Sequence, residues 1–230
     1  MDKKVTIYHG SKNVVEVPAF GVGKKTNDFG LGFYCTESEE LAKEWAVSSI
    51  QSGFANRYDL DTEHLNILNL NTPNYTILNW ISVLIAHRLF SIRMPLARRA
   101  KYYLLEHFAV NVNAYDVVIG YRADDSYFDY AESFLNNAIS VEQLARAMRL
   151  GKLGEQVVIK SQFAFSRLKF KGFAVAEKEK YYTLRKNRDD KANRAYSEML
   201  EEDGDGLYIL DIIRGGIGYD DPRIPRNISE

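Results

Sequence analysis

Gly154-Glu155-Gln156-Val157-Val158-Ile159-Lys160 reads as a short, largely apolar strand that opens directly on a glycine. Ahead of it, Ser140 and Gln143 form the outer positions of a capping box that starts a helix running to Arg149, with Gly151 and Gly154 closing it. Behind it, Leu168–Val175 reads as a further strand. Toward the N-terminus, strands are predicted at Lys4–His9, Ala55–Leu60, Leu65–Leu70 and Asp116–Gly120, with a glycine-rich loop holding short extended pieces over residues 10–36. Ser38 caps a helix to about Ser49 that carries Leu41, Trp45 and Ala46 on one face, and helices are predicted near Ile77–Phe90 and Leu96–Ala109. Toward the C-terminus come a charged helix over Glu177–Glu202, continuous or broken, a last strand at Leu207–Ile212 and a Gly/Pro/Asp-rich tail from Gly215 that lies on the surface or is frayed. Strands and helices mix without regular βαβ alternation, which predicts an α+β fold rather than a doubly wound sheet.

At 230 residues and 46% apolar content the chain is long enough to bury a substantial core. A formal net charge of −1 gives no global argument for a nucleic-acid or membrane partner. The single cysteine, Cys35, excludes a disulfide framework and a cysteine-based zinc site. His9, His64, His87 and His107 lack metal-ligand spacing, so no metal is expected. No apolar segment follows Met1-Asp2-Lys3-Lys4 in the manner of a signal peptide, and the longest apolar stretch, Trp80 to Ile85, is too short to span a bilayer. A cytoplasmic protein without a membrane partner is expected.

Three segments carry chemistry. Tyr8-His9-Gly10-Ser11 places an imidazole at a strand end beside a glycine, whose missing Cβ lets a flat ligand approach the backbone. Asp28-Phe29-Gly30-Leu31-Gly32-Phe33-Tyr34-Cys35-Thr36 offers an aromatic stacking face after two spaced glycines. Gln156 puts an amide on an apolar strand, where it must find a partner. An imidazole, a stacking ring and an orienting amide can together hold a nucleoside. The fingerprint G-x-G-x-x-G and the P-loop pattern are absent.

In this order the segments resemble the ADP-ribosyltransferase superfamily, in its branch with a His–Tyr–Glu/Gln motif series. More closely, the chain resembles an uncharacterised family of bacterial proteins with toxin-like, ADP-ribosyltransferase-like motifs. That resemblance runs from Tyr8 to about Phe170 and takes in Trp45-Ala46, Asn56-x-Tyr58, Gly120-x-x-Ala123-Asp124-Asp125 and Leu153-Gly154-x-Gln156. It implies a split, mostly antiparallel sheet around an NAD⁺ cleft, with helical insertions at residues 76–110 and 125–150. Residues 1–175 then form the transferase-like domain, and residues 176–230 supply a C-terminal helix, strand and surface tail packed on it. It further implies that His9 holds the nicotinamide-side ribose, Gly10 fixes the carboxamide through its backbone, Tyr34 stacks the nicotinamide, and Gln156 stands where the third motif usually has Glu. Ser11, Gly32 and Arg57 join the NAD⁺ contacts, with Arg88 another pyrophosphate candidate. Neighbours on a strand face opposite ways, so only one of Glu155 and Gln156 can enter the cleft. Glu155 and Asp124 are the auxiliary candidates for a base, Asp124 sitting in a run that also reads as a helix cap.

The function implied is transfer of ADP-ribose from NAD⁺, as co-substrate, to a protein or nucleic-acid acceptor inside the bacterial cell, with a neutralising antitoxin as partner. An NAD⁺ glycohydrolase, a catalytically weak NAD⁺ or nucleotide-binding module and an RNA 2′-phosphotransferase-like enzyme stay open beside it. Basic residues at Arg93–Lys101 and Lys169–Arg188 read either as solvated faces or as a phosphate track.

Overall fold

The computed structural model describes residues 3–90, 92–123, 125–150, 154–202 and 206–227. Strand β1 (Lys4–Ser11) pairs antiparallel with β3 (Gly53–Asp61), which pairs antiparallel with β7 (Leu168–Ala176), giving one open sheet in the order β1-β3-β7. A second open sheet has the order β2-β6-β5-β4, from β2 (Phe33–Cys35), β6 (Glu155–Ile159), β5 (Val117–Tyr121) and β4 (Ile67–Asn69). Its β4–β5 pair is parallel and its other pairs are antiparallel. The fold is therefore α+β with two sheets.

Alternation along the strands sorts most of the buried apolar residues into two cores, beside a small cluster of Ala46, Val47, Ala176 and Tyr181. Ile7, Tyr58 and Leu60 of the first sheet meet Cys35, Val117, Ile119, Val157 and Ile159 of the second, forming the core between the sheets. On the far face of the second sheet, Leu68, Val118 and Val158 join the larger core. That core is built with α2 (Ile77–His87), α3 (Pro95–His107), α4 (Asp125–Leu135), α5 (Val141–Ala147) and α8 (Ile209–Arg214). Helix α1 (Glu39–Ala46) lies across β1 and β3 on the outer side of the first sheet, and α7 (Lys178–Glu201) packs on α1.

The two sheets touch at one backbone bridge. Tyr8 N–H donates to Thr36 O (2.7 Å) and Thr36 N–H donates to Tyr8 O (3.0 Å). Beyond that bridge the strands separate, and the next residue of β1 is His9.

Several elements differ from the sequence expectation. Leu207–Ile212 is not a strand. Helix α8 occupies Ile209–Arg214, and its buried Ile209, Ile212 and Ile213 repeat at helical spacing that the β-branched composition disguised. Asp211 caps it by accepting from Tyr208 N–H at 3.3 Å. The tail is not frayed through Asn227. Ile217 and Ile224 are buried, Asn227 Nδ2 donates to Leu70 O at 2.6 Å, and Asn227 N–H donates to Tyr75 O at 2.9 Å. Helix α7 is continuous, and a short helix α6 (Gln162–Ser166), capped by Ser161, connects β6 to β7 where no helix was expected.

Candidate functional site

The split between β1 and β2 opens into a cavity of about 510 Å³, within the range of small-molecule sites. His9, Gly10, Gly32, Tyr34 and Gln156, drawn from three distant segments, all line it. Where backbone pairing between β1 and β2 stops, a side chain takes over: His9 Nδ1 lies 2.7 Å from Tyr34 O. A carbonyl only accepts, so this bond places the proton on Nδ1 and leaves Nε2 as an acceptor. The His9 ring also packs on Phe33 at 4.3 Å between centroids. Burial lowers its pKa from 6.5, with the Tyr34 bond opposing, so the imidazole is neutral at pH 7. Below pH 6.5 the unfolded chain then binds more protons than the fold, so His9 makes a contribution to stability that is lost as pH falls through that region.

Gly10 serves two neighbours. A Cβ on it would lie 2.1 Å from Ala42 O, so the glycine is what lets α1 lie against β1. In an antiparallel ladder, alternate residues direct N–H and C=O to opposite sides of the strand. Tyr8 directs both toward β2, so Gly10 directs both the same way, into the cavity beyond the bridge.

The floor is built by the turn that carries Asp28. Gly30 has φ +75°, and a Cβ there would lie 2.5 Å from His87 Cδ2, so only glycine fits. Tyr34 OH donates to Gly30 O (2.6 Å) and accepts from Phe29 N–H (3.1 Å). Lys160 Nζ donates to Phe29 O (2.6 Å) and Leu31 O (3.2 Å), and burial lowers its pKa to about 8. The turn is thus clamped from two strands, and the Tyr34 ring is fixed at its phenolic end.

Asp28, 5% exposed, accepts from Ala123 N–H (3.0 Å) and Gln156 Nε2 (3.2 Å) on one oxygen, while Arg88 Nε lies 3.4 Å from the other. An ionised carboxylate only accepts, which turns the Gln156 nitrogen toward it. Gln156 Oε1 is buried and has no hydrogen-bond partner among the described residues. Burial raises the Asp28 pKa above 3.8, opposed by Ala123 N–H, Arg88, Arg122 and Gln156. A carboxyl with a raised pKa in the fold contributes stability that is present below pH 3.8 and lost as pH rises through the folded value. Asp28→Asn is therefore expected to raise Tm at pH 7, with the gain shrinking toward pH 4. An Asn variant that melts lower than wild type at pH 7 would contradict this.

Gln156 shares its face with Val158, the partner of Tyr34, and stands opposite Gly120, whose missing Cβ makes room for the Phe29 ring, 2.8 Å from where that Cβ would lie. Glu155 points to the other side, where it is exposed and accepts from Asn71 Nδ2. Ser11 does not line the cavity; its hydroxyl donates to Asn13 O (2.6 Å) and accepts from Asn56 Nδ2 (3.0 Å). Arg57 is exposed on the face of β3 opposite Asn56 and Tyr58, away from the cavity. Asp124 lies outside the described residues.

The sequence assigned no site role to Asp28, Arg122, Trp45 or Asn56, although all four lie within the segments that carry the resemblance. Arg122 and Trp45 line the cavity wall, stacked with the guanidinium carbon 4.5 Å from the ring centroid. Asn56 is fully buried, and its amide holds the loop above the cavity through Val15 N–H, Asn13 O and His9 O. Tyr58 OH holds the same loop at Val15 O. The Asn56-x-Tyr58 spacing, two polar groups on the same face of β3 as buried Leu60, was the available signal.

Among the described residues, no group of three or more His, Cys, Asp and Glu is placed to hold a metal, and no helix is long and apolar enough to cross a membrane. A family model described as a protein of unknown function, DUF3990, matches residues 5–170. No curated protein and no solved structure matches the chain.

Proposed function

The chain belongs to the DUF3990 family, and we propose that it is an NAD⁺-dependent ADP-ribosyltransferase acting on a macromolecule. The observation that supports this best is Gln156 Oε1, a buried acceptor without a partner, held by Asp28 in the cavity that His9, Gly10 and Tyr34 also line. A ribose hydroxyl supplies the missing donor. Neutral His9 offers a second acceptor at Nε2 for the same sugar. The outward-directed Gly10 N–H and C=O match the acceptor and donor of a carboxamide, and the pinned Tyr34 ring offers the stacking face. Arg88, a diphosphate candidate from the sequence, and Arg122 both line the cavity and take that role, while Arg57, the other candidate, lies away from it.

NAD⁺ supplies a leaving group that departs as neutral nicotinamide with the bonding pair from C1′. The acceptor's nucleophile forms the new bond to C1′ and loses its proton to water. Gln156 would stabilise the positive charge developing on the ribose through its carbonyl dipole, and His9 would hold the sugar in line. Because Gln takes no proton, the acceptor must already be nucleophilic or be served by a base other than residue 156.

Incubating the protein with NAD⁺ labelled in the adenylate, together with a whole-cell extract, tests this reading. Label on protein or nucleic acid is the expected result. Nicotinamide release without label points to a glycohydrolase, and NAD⁺ binding without release points to a binding module. Because His9 must be neutral to accept a hydrogen bond, nicotinamide release is expected to hold steady down to pH 6.5 and to fall only below it. A titration midpoint at or above 6.5 would remove His9 from this role. A toxin-like activity further predicts that a host grows poorly when it expresses the chain without a neutralising partner, and recovers with Tyr34→Ala.

A further inference from the structure

Asp28 is the one carboxylate among the described residues that line the cavity. It sits behind Gln156, with Ala123 N–H and Gln156 Nε2 sharing the same oxygen. Its position is set by backbone, because the turn that carries it is clamped by Tyr34 and Lys160. A fixed acceptor demands a donor opposite it. An amide at position 156 meets that demand with its nitrogen and presents its carbonyl to the cavity. A carboxylate at 156 would set two negative groups about 3 Å apart, an arrangement in which both cannot ionise.

We propose that Asp28 is a positioning residue that selects glutamine at position 156 and aims its carbonyl at the ribose, so that an Asp–Gln pair takes the place of the single third-motif glutamate. Arg88 Nε, 3.4 Å from one oxygen, and Ala123 N–H, 3.0 Å from the other, favour the charged form of Asp28, and a charged acceptor binds the amide more strongly than a neutral one. This rests on the transferase reading above for its substrate, while the pairing rests on the geometry of Asp28 and Gln156.

The experiment compares four full-length proteins at pH 7: wild type, Asp28→Asn, Gln156→Glu and the double variant. Nicotinamide release from NAD⁺ and Tm are measured for each. Asp28→Asn alone is expected to slow release about tenfold, the difference between a charge-assisted and a neutral hydrogen bond. Gln156→Glu alone is expected to slow it too, although it restores the more usual third-motif residue. Adding Asp28→Asn to Gln156→Glu is expected to speed release, reversing the sign of the Asp28 effect. A residue with a merely structural role gives no such reversal. The Tm gain from Asp28→Asn is also expected to be larger in the Gln156→Glu background, a readout that needs no turnover. Two results would overturn the pairing: Gln156→Glu outpacing wild type with Asp28 present, or Asp28→Asn acting equally in both backgrounds on release and on Tm. A wild type that neither binds NAD⁺ nor releases nicotinamide, while the Tm coupling holds, overturns the transferase reading and leaves the pairing in place.

Discussion

Gln156→Ala is expected to slow nicotinamide release by roughly 10²–10³-fold, the loss typical of one preorganised dipole at a developing charge. Truncation removes the Oε1 acceptor and also the donor that Asp28 holds, so Asp28 keeps only Ala123 N–H and its approach to Arg88. Glu155→Gln is the paired control. Its exposed carboxylate sits at the start of β6, on the face shared with Val157 and Ile159 and against Asn71, so the change is expected to leave the rate within about twofold, as surface substitutions away from special features usually do. The outcome that would sink this assignment is a rate that survives Gln156→Ala and collapses in Glu155→Gln. Acid-base assistance by residue 155 would then be the mechanism, against its orientation in the sheet.

The other large effect belongs to Gly10→Ala. The added methyl would lie 2.1 Å from Ala42 O and 3.0 Å from Ala46 N, both backbone atoms of the helix α1 region, so no side-chain rotation relieves the clash. Either α1 lifts from β1 or the strand bends away. Overpacking of this kind costs about 3 kcal/mol or more, which for a domain of this size lowers Tm by roughly 6–12 °C. Gly53 stands in the same relation to Ala46 O, at 2.2 Å, so Gly53→Ala is expected to act alike although it does not line the cavity. Thermal melts of the two variants check this. A Gly10→Ala protein with wild-type Tm and lost NAD⁺ binding would instead make Gly10 a purely ligand-facing residue.

Much of the framework was legible because its signals are local. The capping residues Ser38 and Ser140 mark helix starts, and the apolar runs of β1, β5 and β6 mark strands, since caps and periodicity act over a few residues. The choice between Glu155 and Gln156 was half legible. Alternation says that only one can face inward, but which one depends on the side of β6 that the helices cover. Leu207–Ile212 was misread because Leu and Ile suit either a buried strand or a buried helix face, and only packing against the larger core distinguishes them.

The α+β class, the three segments that meet at the cavity, and the candidacy of His9, Tyr34 and Gln156 could be read from the residues alone. The class follows from the mixing of local periodicities, and the candidacy from the order of the three segments and the resemblance that order carries, since each residue alone reads as ordinary strand or core. Which groups face the cavity, and in what state, is set by the folded chain. Arg57 and Ser11 turn away from it, while Asp28, Arg122 and Trp45 enter it, because the strand faces and the turn at Gly30 are set by contacts far apart in the chain. The neutral His9, the raised Asp28 pKa and the aimed amide of Gln156 follow from burial and from partners as distant as 128 residues in sequence, the separation of Asp28 and Gln156. Such electrostatic states arise only when the chain closes on itself and excludes water, so no local pattern in the sequence can carry them.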